Sequence, residues 1–179
     1  MKKLIGLVVP FCIVTMSCKP QLHGEEGESE SDAQGYTSRN CQQQAAQKAA
    51  AKYTGLVVSA FDQEISKGSV AANFKTLENV QRLVCMANGE STFGTDVGGT
   101  FHGAFQAAGD TFPAFCPGYN VKSEAGNTAC ALRILFKPMA NEIKIPRWSK
   151  WPSTSTKCKN GSALRKCFDD NVDKNFKRI

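Results

Sequence analysis

The stretch ANGESTFGTDVGGTFHGAFQ, from Ala87 to Gln106, decides how this chain is interpreted. Its single glutamate, Glu90, comes at the end of an apolar helical run and just before a glycine-rich segment. A carboxylate on the last turn of a helix lies at the negative end of the helix dipole, and apolar neighbours such as Met86 and Phe93 would remove water from it. Both effects raise the pKa of the carboxyl group, which is what a general acid at neutral pH needs.

A helix is predicted to lead into the glycine-rich segment. Apolar residues recur at three- and four-residue spacing from Leu77 to Ala87, and Thr76 is a suitable N-cap. The helical pattern ends near Gly89, and the segment from Ser91 through Gly103 contains four glycines. That segment is therefore predicted to form turns and short strands, with TFHGAF (residues 100–105) as the best candidate strand.

Several other parts of the chain are predicted to be helical. They are residues 41–53, the following segment 54–65, a helix that Asn127 caps and Pro138 kinks or restarts, and Ser162–Phe176. The predicted fold class is α+β, mainly α, with a small irregular β-hairpin beside the helix that carries Glu90.

The N-terminus has the layout of a bacterial export signal. Two lysines precede an apolar run from Leu4 to Met16, which is too short to span a bilayer comfortably. Thr15–Cys18 resembles a lipobox, in which a peptidase cuts before a cysteine that is then lipidated. We expect a signal peptide over residues 1–17 and a lipid anchor on Cys18 that ties the protein to the membrane of the cell envelope, with plain secretion as the alternative. A disordered tether rich in Glu, Ser and Gly is expected over residues 18–40.

Six cysteines remain once Cys12 leaves with the signal and Cys18 is lipidated. They are Cys41, Cys85, Cys116, Cys130, Cys158 and Cys167. An even number in an exported protein predicts disulfide bonds, but six cysteines allow 15 pairings and the sequence does not choose among them. Zinc is disfavoured, because the chain has no Cys-x-x-Cys pair and only two histidines, His23 and His102. We expect neither a metal nor another cofactor.

Residues 41–179 are expected to form one domain with a single core. They carry 18 basic and 11 acidic side chains, and the excess lies after Leu132, where twelve basic residues accompany four acidic ones. A basic exported domain can meet anionic cell-wall polymer or lipid head groups. Nucleic acid is not expected as a partner, because the chain has an export signal and no nucleic-acid-binding motif. We expect a monomer.

The motifs around Glu90 resemble those of a known family. Glu90-Ser91-Thr92-Phe93 and Gly103-Ala104-Phe105-Gln106 are similar, in order and spacing, to the Glu-Ser-x-Phe and Gly-x-x-Gln signatures of goose-type lysozymes and soluble lytic transglycosylases. The segment Ser123–Leu135 is similar to the family helix of small residues that packs behind the catalytic helix. The resemblance covers residues 76–136.

This resemblance implies a lysozyme-like fold and an enzyme that cleaves peptidoglycan. In such families the glutamate protonates the glycosidic bond between N-acetylmuramic acid and N-acetylglucosamine. Carried onto the matching positions, Glu90 becomes the general acid, and Ser91, Phe105 and Gln106 support and bind the sugar. The glycan strands of peptidoglycan are then the expected partner.

A lysozyme-type hydrolase needs a second carboxylate as base or nucleophile. Asp96, the only acid between the two motifs, is the candidate, although aspartate is also common in turns, where its side chain bonds to the backbone. In lytic transglycosylases, by resemblance, one glutamate donates the proton and then deprotonates the sugar's own 6-hydroxyl. The small number of acidic residues near the motifs favours transglycosylase chemistry, with hydrolysis through Asp96 as the alternative.

Other polar and aromatic residues are weaker candidates for substrate contact. His102, expected on a strand beside the cleft, is a candidate hydrogen-bonding wall residue. Trp148 and Trp151 could stack on sugar rings or could equally close the core.

The sequence departs from the family pattern in three places. Phe105 replaces the usual methionine of the second motif, and Gly89 weakens the end of the helix. No Ala-Tyr-Asn-Ala-Gly motif is present, and the nearest match, KCKNGS (157–162), has Lys159 where the tyrosine would be. An ammonium group would then contact the acid in place of a phenol. These departures leave open a non-catalytic module that binds cell-wall glycan on the same scaffold.

Overall fold

Helix α1 (Gln44–Ser66) packs against the other long helices of the fold. The structure is a computed structural model, and it describes residues 41–94, 101–108, 115–137 and 146–179. The two helical segments predicted here form one continuous helix through Gly55. A single glycine costs only about 1 kcal/mol in a helix interior. Burial of Tyr53, Val57 and Phe61 outweighs that cost, at about 1.5–3 kcal/mol for each large apolar side chain.

Helix α2 (Leu77–Ser91) carries Glu90 on its last turn. The predicted N-cap is confirmed, because the Thr76 hydroxyl accepts a hydrogen bond from the backbone N–H of Asn79 at 3.2 Å. The predicted end near Gly89 was two residues too early. The helix ends where Thr92 adopts a left-handed conformation (φ 50°), which lets the N–H of the next residue return to a carbonyl oxygen of the last turn.

A short antiparallel hairpin follows α2 in the chain. Strand β1 (Phe101–His102) pairs with β2 (Ala107–Ala108), with Phe101 opposite Ala108 and His102 opposite Ala107. The predicted strand over residues 100–105 was therefore too long. Gly103–Gln106 is the turn of the hairpin, and both its first and its last residue have positive φ angles.

Helix α3 (Glu124–Phe136) packs against α1. The prediction of Asn127 as its N-cap was wrong. Ser123 caps the helix instead, and its hydroxyl accepts a hydrogen bond from the N–H of Gly126 at 3.1 Å. The helix ends at Phe136, and Lys137 is extended, as expected for a residue that precedes a proline. Pro138 lies outside the described residues.

The C-terminal part contains two helices that follow a 3₁₀ turn over Trp148–Lys150. Helix α4 (Pro152–Lys157) is short, and α5 (Ala163–Phe176) packs against α1 and α2. The predicted charged helix is confirmed, and the Ser162 hydroxyl accepts a hydrogen bond from the N–H of Arg165.

Three disulfide bonds join the elements, which confirms the disulfide prediction. Cys41–Cys167 ties the start of α1 to α5, Cys85–Cys158 ties α2 to the residue after α4, and Cys116–Cys130 ties a loop to α3. They close 126, 73 and 14 residues along the chain, and long closures restrict the unfolded chain most.

The described residues are mainly helical and contain one small hairpin, which confirms the coarse fold class. Among them no helix is both long and apolar enough to cross a membrane. The predicted signal peptide (1–17), the lipidation site Cys18 and the tether (18–40) lie outside the described residues.

Candidate active site

The Glu90 carboxyl group is half-buried on the last turn of α2. Its Oε1 atom accepts a hydrogen bond from the hydroxyl group of Thr154 on α4. Burial raises the pKa of Glu90 above that of an ordinary glutamate, and the hydrogen bond from Thr154 offsets part of this rise. The direction agrees with the sequence-based expectation for a general acid.

Gly89 allows helix α4 to lie directly against α2. A Cβ atom at position 89 would be 2.6 Å from Cγ2 of Thr154, closer than two carbon atoms can approach without displacement. The sequence treated Gly89 as a weakness of the helix end. The structure explains why glycine occupies this position, since a side chain there would collide with Thr154, the residue that contacts Glu90.

Ser91 connects the end of α2 to the second motif. Its side chain is completely buried, and its hydroxyl accepts a hydrogen bond from the N–H of Gly94 at 2.7 Å. The same hydroxyl donates to the carbonyl oxygen of Ala104 at 3.0 Å. Ser91 therefore holds the Gly103–Gln106 turn against the end of α2.

Asn127 holds the same turn from the side of α3. Its Oδ1 accepts a hydrogen bond from the N–H of Phe105 at 3.1 Å, and its Nδ2 donates to the carbonyl oxygen of His102 at 2.8 Å. Gly103 has a φ angle of 65°, and a Cβ atom there would lie 2.3 Å from Cγ of Asn127. The sequence placed Asn127 near a helix start but missed this contact.

Phe105 is completely buried, so its side chain supports the turn by packing. Its carbonyl oxygen accepts a hydrogen bond of 2.6 Å from the indole nitrogen of Trp151, and the two rings meet edge to face. The structure therefore supports the interpretation that Trp151 closes the core rather than stacking on a sugar ring. The half-buried Trp148 packs its ring under the guanidinium of Arg82, 4.0 Å from the ring centroid.

Gln106 and His102 are both partly buried at the turn. The Gln106 side chain donates from Nε2 to the carbonyl oxygen of Gly103 at 3.1 Å, and thus folds back on its own turn. His102 lines a cavity of about 300 Å³ together with residues of α1, the turn and the start of α3. Glu90 is not among the described residues that line this cavity.

Lys159 does not take the position that the sequence suggested for it. It is exposed in the turn after α4, and the contact to the Glu90 carboxyl comes from Thr154. Among the described residues no ion pair joins Lys159 to Glu90, so the expected contact between an ammonium group and the acid is not observed. Asp96 lies outside the described residues.

The described side chains form no cluster of three or more His, Cys, Asp or Glu residues that could hold a metal ion. These groups can support acid–base chemistry. They are one half-buried carboxyl group with a raised pKa, a hydroxyl donor on one of its oxygens, and a turn that is hydrogen-bonded to the end of the same helix. Searches against protein-family models, curated proteins and solved structures found no match to this chain.

Proposed function

We propose that the protein is a peptidoglycan-cleaving glycosidase with a lysozyme-like fold and that Glu90 is its general acid. The observation that carries this proposal is the environment of the Glu90 carboxyl, which is half-buried, raised in pKa and fixed by Thr154 at the end of a helix. A carboxyl group in such an environment retains its proton closer to neutral pH than a solvated glutamate does. Transfer of that proton to a glycosidic oxygen is the step that starts cleavage.

The arrangement of the second motif supports the same proposal. Ser91 links the helix that carries Glu90 to the turn, and Asn127 fixes the turn from the opposite side. The Gly-x-x-Gln motif is thereby attached to the end of the helix that carries Glu90 by side chains that are themselves buried. A sugar bound along a turn held in this way would meet the Glu90 proton in a constant geometry, which general acid catalysis requires.

Lytic transglycosylase chemistry is the form of the reaction that we favour. Glu90 would protonate the oxygen that leaves C1 of the muramic acid residue, and the C1–O bond would break. The resulting carboxylate would then take the proton of the 6-hydroxyl as that oxygen bonds to C1 and closes a 1,6-anhydro ring. Asp96 is the only acid between the two motifs of the sequence, and this scarcity of acidic residues favours a mechanism with one acid.

The predicted export signal and lipid anchor on Cys18 would place this activity in the cell envelope, where the substrate is. The three disulfide bonds are compatible with such an oxidising location. The basic C-terminal part would favour association with the anionic cell wall through long-range attraction.

Mass spectrometry of the muropeptides released by the purified full chain from isolated peptidoglycan tests the proposal. We expect products lighter by one water than reducing ends, and none with Glu90→Gln, because glutamine cannot donate a proton. The walls should be used both before and after chemical deacetylation. Reducing ends would instead favour hydrolysis through Asp96. Binding to both walls without any product would overturn the enzymatic proposal in favour of a glycan-binding module.

A further inference from the structure

Helix α4 is too short to hold its own position, since it has only six residues. Its attachments to α2 therefore decide where its side chains lie. At its end, Cys158 is bonded to Cys85 of α2. In its middle, the carbonyl oxygen of Ser155 accepts a hydrogen bond from Arg82 at 3.0 Å.

The start of α4 is attached to the motif turn. Trp151, the residue before the helix, is buried, and its indole nitrogen donates to the carbonyl oxygen of Phe105 at 2.6 Å. The short helix is thus held at three points, two on the catalytic helix and one on the turn. Thr154 lies between these points and is itself buried.

Gly89 completes this arrangement. The atom nearest to a Cβ at position 89 is Cγ2 of Thr154, and the clash involves that methyl group rather than the hydroxyl. Serine, which lacks this methyl group, would keep the hydroxyl and leave room at position 89. Gly55, in the middle of α1, has no atom within 4 Å of such a Cβ and provides a comparison glycine within a helix.

We propose that Thr154 is a positioning residue for Glu90 and that Gly89 and the three attachments of α4 hold its hydroxyl against one oxygen of the carboxyl. The inference concerns the chemistry of the same site and rests on the proposed function for its catalytic meaning. The hydroxyl donates to Oε1. In the neutral acid the carbonyl oxygen is the better acceptor, so the proton is placed on Oε2.

This placement has two consequences for proton transfer. The carboxyl group is kept in one rotamer with its proton on the oxygen that Thr154 leaves free. After the proton has left, the hydroxyl still donates to the carboxylate and stabilises the charge that forms there. Thr154 thus acts through Glu90 and does not itself need to contact the substrate.

Four variants of the full chain separate the hydroxyl from the methyl group. Thr154→Val keeps the shape without the hydroxyl, Thr154→Ser keeps the hydroxyl without the methyl, Gly89→Ala adds the clashing carbon, and Gly89→Ala with Thr154→Ser removes the clash again. Gly55→Ala is the control. The titration of Glu90 is followed by NMR on protein carrying ¹³C in its glutamate carboxyl groups, and the signal missing from Glu90→Gln identifies it.

We expect the pKa of Glu90 to rise in Thr154→Val and in Gly89→Ala and to stay near its wild-type value in Thr154→Ser, in the double variant and in Gly55→Ala. On soluble glycan fragments, kcat should fall about tenfold in the first two variants with little change in KM, because the acid is misplaced after binding. The double variant should recover the lost activity.

The proposal is overturned if Thr154→Val titrates like the wild type, if Thr154→Ser titrates like Thr154→Val, or if the double variant recovers neither titration nor activity. It is also overturned if the wild type cleaves glycan and the variants shift the titration of Glu90 without changing kcat. If all titrations behave as expected and even the wild type leaves glycan intact, the positioning stands and the proposed function fails. If the wild type cleaves glycan but substitutions at position 154 leave the titration of Glu90 unchanged, the proposed function stands and the positioning role of Thr154 fails.

Discussion

The side-chain oxygen of Asn127 accepts a hydrogen bond of 3.1 Å from the backbone N–H of Phe105, across 22 residues of sequence. The amide nitrogen of the same side chain donates to His102 on the other side of the turn. One buried side chain thus satisfies the backbone on both sides of Gly103 and Ala104. The conformation of the second motif therefore depends on a residue of α3 that belongs to neither motif.

Replacing Asn127 with alanine should disturb the turn more than its loss of volume suggests. The N–H of Phe105 and the carbonyl oxygen of His102 would lose this buried partner, which costs about 1–3 kcal/mol for each group left unsatisfied. We expect the free energy of unfolding to fall by about 2–4 kcal/mol in urea titrations, and glycan cleavage by the folded protein to fall as well.

Asn120→Ala is the matched control for this variant. The Asn120 side chain is exposed, and within the described ranges its hydrogen bond is a local one, accepted from the N–H of Lys122 at 3.2 Å. Its replacement should change stability by less than about 1 kcal/mol and leave cleavage unchanged. Equal losses of stability and cleavage in the two variants would contradict the role of Asn127 in holding the turn.

Gly103→Ala should be more damaging than an ordinary glycine substitution at positive φ. Gly103 and Gly118 both have positive φ angles, 65° and 83°, so alanine at either position pays the cost of a left-handed conformation, about 1–2 kcal/mol. Only at Gly103 does the added carbon also collide with Asn127, whereas nothing lies within 4 Å at Gly118.

The difference between the two variants therefore measures the collision. We expect Gly103→Ala to lower the free energy of unfolding by about 1–3 kcal/mol more than Gly118→Ala, as found for overpacked interiors. Thermal or urea unfolding of both proteins gives this difference directly. Similar values for the two would mean that Asn127 can move away without cost.

Local patterns allowed α1, α2, α3 and α5 and the position of Glu90 to be predicted from sequence, whereas the short helix α4 was not predicted. The spacing of apolar residues fixed α2, and a carboxyl at its end had to be partly buried. The capping of α3 was misassigned because Ser123 and Asn127 are both good N-cap residues. The acidic Glu124 directly after Ser123, which favours a helix start at Ser123, was the signal that could have decided between them.

The contacts of Glu90 could not be predicted in the same way. Thr154 is 64 residues away from Glu90 in sequence, and no periodic pattern connects them. Their contact depends on the pairing of Cys85 with Cys158, which six cysteines leave undetermined, and on a glycine whose purpose is visible only beside its neighbour. Lys159 was predicted to contact Glu90 because it stands at the tyrosine position of a family motif, and sequence alone did not show where the chain turns.

The free energy of unfolding should depend on pH through Glu90. Burial raises the pKa of Glu90 in the folded protein, whereas the unfolded chain has the ordinary value, about 4.3. Between these two pKa values the folded state binds more protons than the unfolded state, so stability falls as pH rises through this window. The stabilising contribution of Glu90 to the free energy of unfolding is complete below the pKa of the unfolded chain and is lost above the raised pKa of the folded protein.

Urea unfolding of the wild type and Glu90→Gln across this pH range tests the sign. Glutamine stays neutral, so the stability of the variant relative to the wild type should increase as pH rises. Activity of the wild type should decline over the same range if Glu90 is the general acid, because its proton is lost. A difference between the two proteins that is constant with pH would mean that burial does not perturb Glu90.

The disulfide Cys85–Cys158 should matter for activity beyond its effect on stability. It closes 73 residues, and loss of such a closure costs roughly 4 kcal/mol in the chain-entropy account. It also fixes the end of α4, so Cys85→Ala combined with Cys158→Ala should release Thr154 from Glu90 and lower kcat even where the protein remains folded.

Cys41→Ala combined with Cys167→Ala provides the comparison. That bond closes 126 residues and should cost roughly 5 kcal/mol, slightly more than the first, but it ties the start of α1 to α5 and does not attach α4. Both double variants should be assayed at a temperature where circular dichroism shows them folded. If the activity of Glu90 depends on the position of α4, only the Cys85–Cys158 variant loses kcat there, whereas equal losses would mean that the disulfides act through global stability alone.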